Sequence, residues 1–199
     1  MTRPLGVILA GGQARRMGGG DKGRLPLGGK TILDHVVQRL EPQVDTMAIN
    51  ANGDPARFAD LGLPVLPDSV TGFVGPLAGV LAGLDWAASQ GATQVVTAAA
   101  DTPFFPTTLV SDLVTAAETQ GQPIALAASG GHRHPTFGLW PVALRDDLRA
   151  ALEDGLRKVI LWTDKHGTAS AEFPATTPDP FFNVNTPEDL TLAEEALRT

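Results

Sequence analysis

The stretch that decides the fold runs from Leu5 to Lys22 and reads LGVILAGGQARRMGGGDK. Its beginning, Leu5 to Ala10, is a short apolar run without polar interruption, which is typical of a buried β-strand. Gly11 and Gly12 follow directly, so no Cβ keeps a ligand away from the backbone amides there. Two arginines, three further glycines and a lysine complete the stretch. Amides and cationic side chains together suit a polyphosphate, and the stretch therefore predicts a nucleotide phosphate-binding loop.

Two better-known glycine motifs fit this region less well. The glycines at 18, 20 and 23 have the spacing G-x-G-x-x-G, but a dinucleotide-binding loop begins directly at a strand end, and this match begins well after Ala10. Gly29-Lys30-Thr31 resembles the end of a P-loop, yet Arg24 stands where the first glycine of that loop is needed. We therefore interpret Gly28-Gly29 as a turn before a helix.

Length and composition indicate an ordinary globular protein. The chain has 199 residues, of which 43% are hydrophobic and 19% charged, and this predicts one domain spanning 1–199. No apolar run approaches the roughly 20 residues of a membrane span, and the first residues lead into the predicted strand instead of forming a signal peptide. The lack of cysteine excludes disulfides and thiolate metal sites. We expect a cytoplasmic monomer that contacts no membrane.

The distribution of charge indicates an anionic ligand and a cation. A formal net charge of −7 argues against a general nucleic-acid binder. Six basic residues and one acid lie within residues 1–30, whereas six acids and no Lys or Arg lie between Arg57 and Arg133. A basic segment beside an acidic one suits an anionic nucleotide with a hard cation, although a chance distribution of surface charge is the alternative.

The alternation of strand and helix patterns predicts a three-layer α/β/α fold around a mostly parallel sheet. The predicted strands are 5–10, 44–51, 64–66, 94–100, 123–128, 135–140 and 169–173. The predicted helices are 31–41, 55–61, 77–90, 107–119, 144–152, 156–162 and 187–197. In such sheets, ligands bind outside the carboxyl ends of the strands.

Polar side chains follow several of these strands. Asn50, Asn52, Asp68 and Asp101 all come at or just after a predicted strand end, so we expect them at the edge of the sheet that also carries Gly11. Asn50 and Asn52 are candidates to contact a ribose, and Asp68 a ribose or a second substrate. The alternative is that all three only shape turns.

Charged candidates would hold the phosphates and a metal ion. Asp101 ends the most apolar predicted strand and is a candidate Mg²⁺ ligand, with a helix cap for a segment beginning near Pro106 as the alternative. Lys22 and Arg16 are candidates to neutralise phosphate oxygens, unless both are simply solvated.

The second half of the chain offers weaker candidates. His132-Arg133-His134 has metal-ligand spacing but no third ligand nearby, so we favour contact of Arg133 and His134 with an anionic substrate. Asn183 and Asn185 precede the last predicted helix, where they either cap it or face a phosphate.

Ten short motifs occur in a characteristic order along nearly the whole chain. They are Leu9-Ala-Gly-Gly12, Arg16-Met-Gly18, Asp21-Lys22, Leu27-x-Gly29-Lys30, Asn50-Ala-Asn52, Asp68-Ser69, Gly75-Pro-Leu-Ala-Gly79, Asp101-Thr-Pro103, His134-Pro-Thr136 and Asn183-Val-Asn-Thr-Pro187. In this order they resemble the molybdenum cofactor guanylyltransferase family. That family has an α/β nucleotide-binding fold of nucleotidyltransferase type. It transfers GMP from Mg²⁺-bound GTP to the phosphate of molybdopterin carrying molybdenum, and releases pyrophosphate.

The resemblance implies roles for individual residues. Lys22, Arg16 and Asp101 are implied as catalytic, and Asp101 also as the Mg²⁺ ligand. The residues implied to contact GTP are Leu9, Ala10, Gly11, Gly12, Lys22, Asn50, Asp68 and Asp101. Those implied on the pterin side are Arg133, His134, Asn183 and Asn185. Cofactor-pathway proteins and molybdoenzymes are the implied partners.

Three other functions stay open at this point. The related cytidylyltransferases tend to carry Leu-Ala-Ala-Gly in the first loop, so Gly11 favours GTP over CTP. A sugar-phosphate nucleotidyltransferase would share the first loop and Asp101 but accept a different phosphate. A non-catalytic GTP-binding partner of the pathway would bind GTP without releasing pyrophosphate.

Overall fold

The structure is a computed structural model that describes residues 3–11, 21–70, 72 and 75–198. Its strands are β1 (Leu5–Leu9), β2 (Pro26–Leu27), β3 (Lys30–Thr31), β4 (Met47–Asn50), β5 (Val65–Leu66), β6 (Gln94–Ala99), β7 (Ile124–Ser129), β8 (His132–Pro141) and β9 (Thr168–Phe173). Its α-helices are α1 (Ile32–Leu40), α2 (Pro76–Ser89), α3 (Leu109–Gln120), α4 (Arg145–Glu153), α5 (Val159–His166) and α6 (Pro187–Ala196). Within the described ranges, no helix is both long and apolar enough to cross a bilayer.

Seven strands form one sheet in the order β5-β4-β1-β6-β8-β7-β9. The pairs β4–β5, β1–β4, β1–β6 and β7–β9 are parallel, and β8 is antiparallel to both of its neighbours. The prediction of a mostly parallel sheet is therefore confirmed. The carboxyl ends of β1, β4, β5 and β6 lie at one edge, because these four strands run in the same direction.

Helices cover both faces of this sheet, as the three-layer prediction requires. Side chains alternate along β1, so that Val7 belongs to a buried cluster with residues of α2, α4 and α5, whereas Ile8 belongs to a second cluster with residues of α1 and α3. Both side chains are fully buried. Burial on both faces explains why β1 lacks the alternation of a half-exposed strand, and why even Thr97 on β6 is fully buried.

Local signals fix the starts of two helices. Thr31 and Asp34 form a capping box at α1, and Thr186 and Asp189 form another at α6, where Pro187 occupies the first turn. The predicted start of the last helix is confirmed. Gly28 and Gly29, both with positive φ, form the predicted turn before α1. The turn joins β2 and β3 in a small hairpin, and the sequence patterns do not predict these two short strands.

Several predicted element bounds are wrong, and the largest shift is that of the helix predicted over 156–162, which spans Val159–His166. The segment predicted as a helix over 55–61 is a 3-10 helix. The second strand begins at Met47 instead of 44, because Val44 is buried below the sheet outside the ladder. The strand after the Gly130-Gly131 turn begins at His132 instead of 135, because β8 pairs with β7 from the turn onward. The helix predicted from 107 begins at Leu109.

Candidate functional site

The carboxyl ends of the parallel strands open into a cavity of about 640 Å³. Backbone hydrogen bonds continue past the strand ends: the amide of Ala10 donates to the Asn50 carbonyl at 2.9 Å, and the amide of Ala100 donates to the Leu9 carbonyl at 3.1 Å. These bonds place three segments side by side. The lining residues that the sequence had predicted as site residues are Leu9, Ala10, Gly11, Lys22, Asn50, Asn52, Asp68, Asp101 and Asn183.

Of the other predicted site residues, two are not described by the structure and three do not line the cavity. Gly12 and Arg16 lie outside the described residues. Arg133 and His134 lie on β8, and neither is a lining residue. Asn185 is not a lining residue either, but it contacts Lys22 directly.

Gly11 presents bare backbone to the cavity. A Cβ built there would meet nothing within 4 Å, and its φ lies outside the positive range that glycine alone tolerates. Neither packing nor backbone conformation within the described protein therefore requires glycine at this position. A ligand that approaches the amide closely would supply such a requirement.

Asp101 and Lys22 form an ion pair in the lining of the cavity. The Lys22 Nζ lies 3.7 Å from the Asp101 Oδ2, and the two side chains are 20% and 23% exposed. Burial raises the pKa of the Asp101 carboxyl, because desolvation disfavours its charged form and the Lys22 ammonium compensates only in part. The site thus presents a carboxylate that a further cation would stabilise.

The helix-cap alternative for Asp101 is wrong. The next helix, α3, begins at Leu109, and Thr108 occupies its N-cap position. Asp101 instead receives a hydrogen bond from Thr102 at 3.3 Å, and its backbone carbonyl accepts from the Val184 amide at 2.9 Å.

The segment from Asn183 to Asn185 packs onto the Asp101 end of β6. The Thr102 hydroxyl donates to the Asn183 Oδ1 at 2.5 Å, and the Lys22 ammonium donates to the Asn185 Oδ1 at 2.5 Å. The capping box of α6 uses Thr186 and Asp189, so neither asparagine side chain caps that helix. Asn185 instead accepts a hydrogen bond from the Lys22 ammonium, although the two residues are 163 positions apart in the sequence.

Asp68 is held by two asparagines. Asn50 donates to one carboxylate oxygen at 2.9 Å, and Asn52 donates to the other at 2.7 Å. The Asp68 amide donates back to the Asn52 Oδ1 at 2.9 Å. Asn50 also donates to the Leu66 carbonyl at 3.1 Å and is only 4% exposed. These bonds fix the Asp68 carboxylate at the cavity wall, where an oxygen retains lone pairs for a ligand donor.

Gly79 of the motif Gly75-Pro-Leu-Ala-Gly79 allows Asn50 to sit at the cavity. A Cβ at Gly79 would lie 2.2 Å from the Asn50 Oδ1 and 2.8 Å from the Leu9 Cδ2. Although alanine is favoured over glycine in a helix by about 1 kcal/mol, no side chain tolerates such a distance, so Asn50 must move. We therefore expect Gly79→Ala to weaken GTP binding about tenfold, measured by calorimetry.

Gly83, one turn further along α2, provides the matched control. A Cβ there would meet the Val7 Cγ2 at 2.9 Å, in the core and away from the cavity. Gly83→Ala should lower the melting temperature and leave GTP affinity intact. If Gly79→Ala bound GTP as tightly as Gly83→Ala, the placement of Asn50 would not matter for the nucleotide.

Arg133 and His134 are engaged elsewhere. The Arg133 guanidinium donates to Asp164 of α5 at 2.7 Å. The His134 ring stacks on Phe181 with centroids 4.4 Å apart, and its Nε2 lies 2.7 Å from the Ser129 hydroxyl. Burial lowers the pKa of His134, which favours the neutral ring. The described residues include no group of three or more His, Cys, Asp or Glu side chains placed to hold a metal ion. A pterin-side role for this pair stays a prediction.

The Asp101 edge of the cavity fits a magnesium ion. In nucleotide sites, Mg²⁺ takes one or two carboxylates, water and phosphate oxygens. Asp101 offers one incompletely compensated carboxylate beside the predicted phosphate-binding segment. Asp101 is therefore the residue that would hold the ion.

Several cavity residues escape sequence reasoning. Phe58, Thr136 and Gly75 line the cavity without having been predicted as site residues, and Arg57 lies against Phe58 just behind the wall. Thr136 and Gly75 each lie in one of the ten short motifs, so the motifs could have identified both as site residues. No pattern around Phe58 and Arg57 distinguishes them from ordinary residues of a short helix.

Comparisons with known proteins show the family of this chain. The family model for the MobA-like NTP transferase domain matches residues 6–168. The molybdenum cofactor guanylyltransferase of Bradyrhizobium sp. (strain ORS 278) is 55% identical over 95% of this chain and 91% of its own length. That of Mesorhizobium japonicum is 51% identical over 98% and 96%.

A solved structure shows the same fold at lower identity. The molybdopterin-guanine dinucleotide biosynthesis protein A of Archaeoglobus fulgidus is 24% identical, with a TM-score of 0.74 over 98% of both chains. This structure supports the fold, whereas the family model and the relatives above 50% identity, whose matches span nearly the full length of both proteins, show the family. The chain therefore belongs to the MobA-like nucleotidyltransferases, within the molybdenum cofactor guanylyltransferase family.

Proposed function

We propose that this protein transfers GMP from GTP to the terminal phosphate of molybdopterin carrying molybdenum. The products are the guanine dinucleotide form of the cofactor and pyrophosphate. The observation that carries the proposal is the common cavity, in which the bare end of β1, Lys22, Asp101 and the Asp68 network converge. The family named above supports the choice of GTP and molybdopterin.

The reaction requires no protein nucleophile. An oxygen of the acceptor phosphate attacks the α-phosphorus of GTP, and the bond from that phosphorus to the bridging oxygen of the β-phosphate breaks, so that pyrophosphate leaves with the electron pair. Catalysis then consists of holding two anions in line and stabilising the charge that they concentrate.

Each wall of the cavity contributes to this task. The amides at the end of β1 and the Lys22 ammonium would bind the phosphates. The Asp68 carboxylate, held by Asn50 and Asn52, would accept hydrogen bonds from the nucleoside. Asp101 would hold Mg²⁺, which supplies charge neutralisation when bound. Arg16, Gly12 and the pterin-side residues stay predictions, as do a single-domain monomer, a cytoplasmic location and molybdoenzyme partners.

The test uses the purified protein with GTP, Mg²⁺ and molybdopterin carrying molybdenum. We expect stoichiometric release of pyrophosphate and a guanine dinucleotide in the mass spectrum. Parallel reactions replace GTP by CTP, or the acceptor by a sugar phosphate, and should give less than about a tenth of that product. Preferred use of either substitute would identify a different nucleotidyltransferase. GTP binding without pyrophosphate release would identify a non-catalytic protein.

A further inference from the structure

Arg57 lies on the short 3-10 helix Pro55–Leu61, behind the cavity wall. Its Nη1 donates to the Asp21 carboxylate at 3.0 Å, and its Nη2 donates to the Asn52 carbonyl at 2.7 Å. The guanidinium carbon lies 4.9 Å from the centroid of the Phe58 ring. One planar group therefore bonds two segments that are separated by about thirty residues and are both at the cavity.

These two segments carry different parts of the proposed site. Asp21 immediately precedes Lys22, whose ammonium faces Asp101. Asn52 holds the Asp68 carboxylate with its amide nitrogen and the Asp68 backbone with its amide oxygen. A displacement of either Asp21 or Asn52 would thus shift a group that we assign to the phosphates or to the nucleoside.

Phe58 gives the guanidinium a fixed support. The ring lines the cavity, is only 1% exposed, and lies beneath both Arg57 and Arg24. A guanidinium that stacks on a ring and donates two directed hydrogen bonds has a defined orientation, which the flexible point charge of lysine cannot reproduce.

We infer that Arg57 is a positioning residue for GTP, because it sets the distance between the phosphate-binding Lys22 segment and the Asp68 network. It acts through Asp21 and Asn52 and does not itself line the cavity. The inference rests on the proposed function, because it assumes that the two segments bind one nucleotide.

Arg149 provides a matched control away from the cavity. Its side chain is 34% exposed, against 35% for Arg57, and its Nη2 donates to the two carboxylate oxygens of Asp85 at 2.8 and 2.7 Å. This contact joins α4 to α2, and neither residue lines the cavity. Arg149→Ala therefore removes a guanidinium that connects two elements while it leaves the Asp21–Arg57–Asn52 connection in place.

The experiment measures GTP affinity by calorimetry and steady-state kinetics on the full chain. For Arg57→Ala we expect the Kd and the KM for GTP to rise about tenfold, as for loss of one charge-assisted hydrogen bond, with kcat changed less than about threefold. Arg57→Lys should recover less than half of this effect on a logarithmic scale. Arg149→Ala should leave Kd and KM within about twofold.

A double-mutant cycle distinguishes positioning from general loss of structure. Asp21→Ala should raise the Kd for GTP, and adding Arg57→Ala to it should raise it little further, because both changes break one connection. Fully additive effects, an unchanged Kd in Arg57→Ala, or an equal effect of Arg149→Ala would overturn the inference. The positioning role of Arg57 and the proposed function are tested by different measurements. Calorimetry tests the role of Arg57 in GTP binding, whereas absence of the dinucleotide product in the unsubstituted protein would refute only the proposed function.

Discussion

An Asp101→Asn protein is expected to lose at least about 1,000-fold in kcat with GTP and molybdopterin while it folds at least as stably as the unsubstituted protein. The asparagine has the same shape but cannot supply the negative charge that would hold Mg²⁺ beside the phosphates. Asp101 stands at the end of β6 and lines the cavity, so the change alters charge at the site without opening a void in the core.

The stability half of this prediction follows from the raised pKa of Asp101. A carboxyl that binds its proton more tightly in the folded state costs the fold free energy, and this cost grows as the pH rises from the ordinary carboxyl pKa to the raised one. The neutral amide removes that cost. The melting temperature of Asp101→Asn without ligands should therefore be equal or higher at pH 7, and the difference should shrink as the pH falls through the raised pKa and vanish below the ordinary one.

Glu118, an exposed carboxylate on α3, is the control for this variant. Glu118→Gln should leave turnover unchanged. Undiminished turnover in Asp101→Asn would remove Asp101 from the reaction. A large loss of stability at pH 7 would show that the carboxylate serves the fold instead.

Replacing Lys22 with alanine is expected to lower kcat/KM for GTP at least about 100-fold. The Lys22 ammonium is held between Asn185 at 2.5 Å and Asp101 at 3.7 Å, so it is fixed before any ligand arrives. A preorganised cation costs little reorganisation when charge develops on the phosphates, which is why its loss should affect both binding and transfer. Calorimetry with GTP and pyrophosphate release report these two effects separately.

Lys30 on β3 is the control for this variant, because it is a lysine close to Lys22 in the sequence that does not line the cavity. It is exposed, and it donates to Gln38 at 3.0 Å. Lys30→Ala should retain the GTP affinity of the unsubstituted protein. Equal GTP affinity in Lys22→Ala and Lys30→Ala would mean that the Lys22 ammonium is only a solvated surface charge.

The sequence allowed the strand-end site to be predicted because its signals are local. An apolar run followed by Gly11, and another followed by Asp101, mark two strand ends, and parallel direction then brings them to one edge. The contacts that complete the site are not local. Lys22 meets Asn185 from 163 residues away, and Thr102 meets Asn183 from 81 residues away. No spacing rule within the sequence connects such pairs.

The differences in the fold have a similar cause. The insertion of β8 between β6 and β7 depends on long-range pairing, whereas the pattern of residues 135–140 indicates only that a strand is present. The Arg57 contact is hidden for another reason. In the sequence, nothing distinguishes Arg57 from other surface arginines. Only the folded 3-10 helix brings its guanidinium within hydrogen-bond distance of Asp21 and Asn52.

The most direct test of a single nucleotide held from two sides is a crystal structure with Mn²⁺ and a GTP analogue that resists cleavage between the α- and β-phosphates. We expect anomalous density for Mn²⁺ at about 2.1 Å from an Asp101 carboxylate oxygen, with the phosphates between the Gly11 amide and the Lys22 ammonium. Metal and phosphates bound away from Asp101, or a nucleotide that contacts only one of these groups, would contradict the site described above.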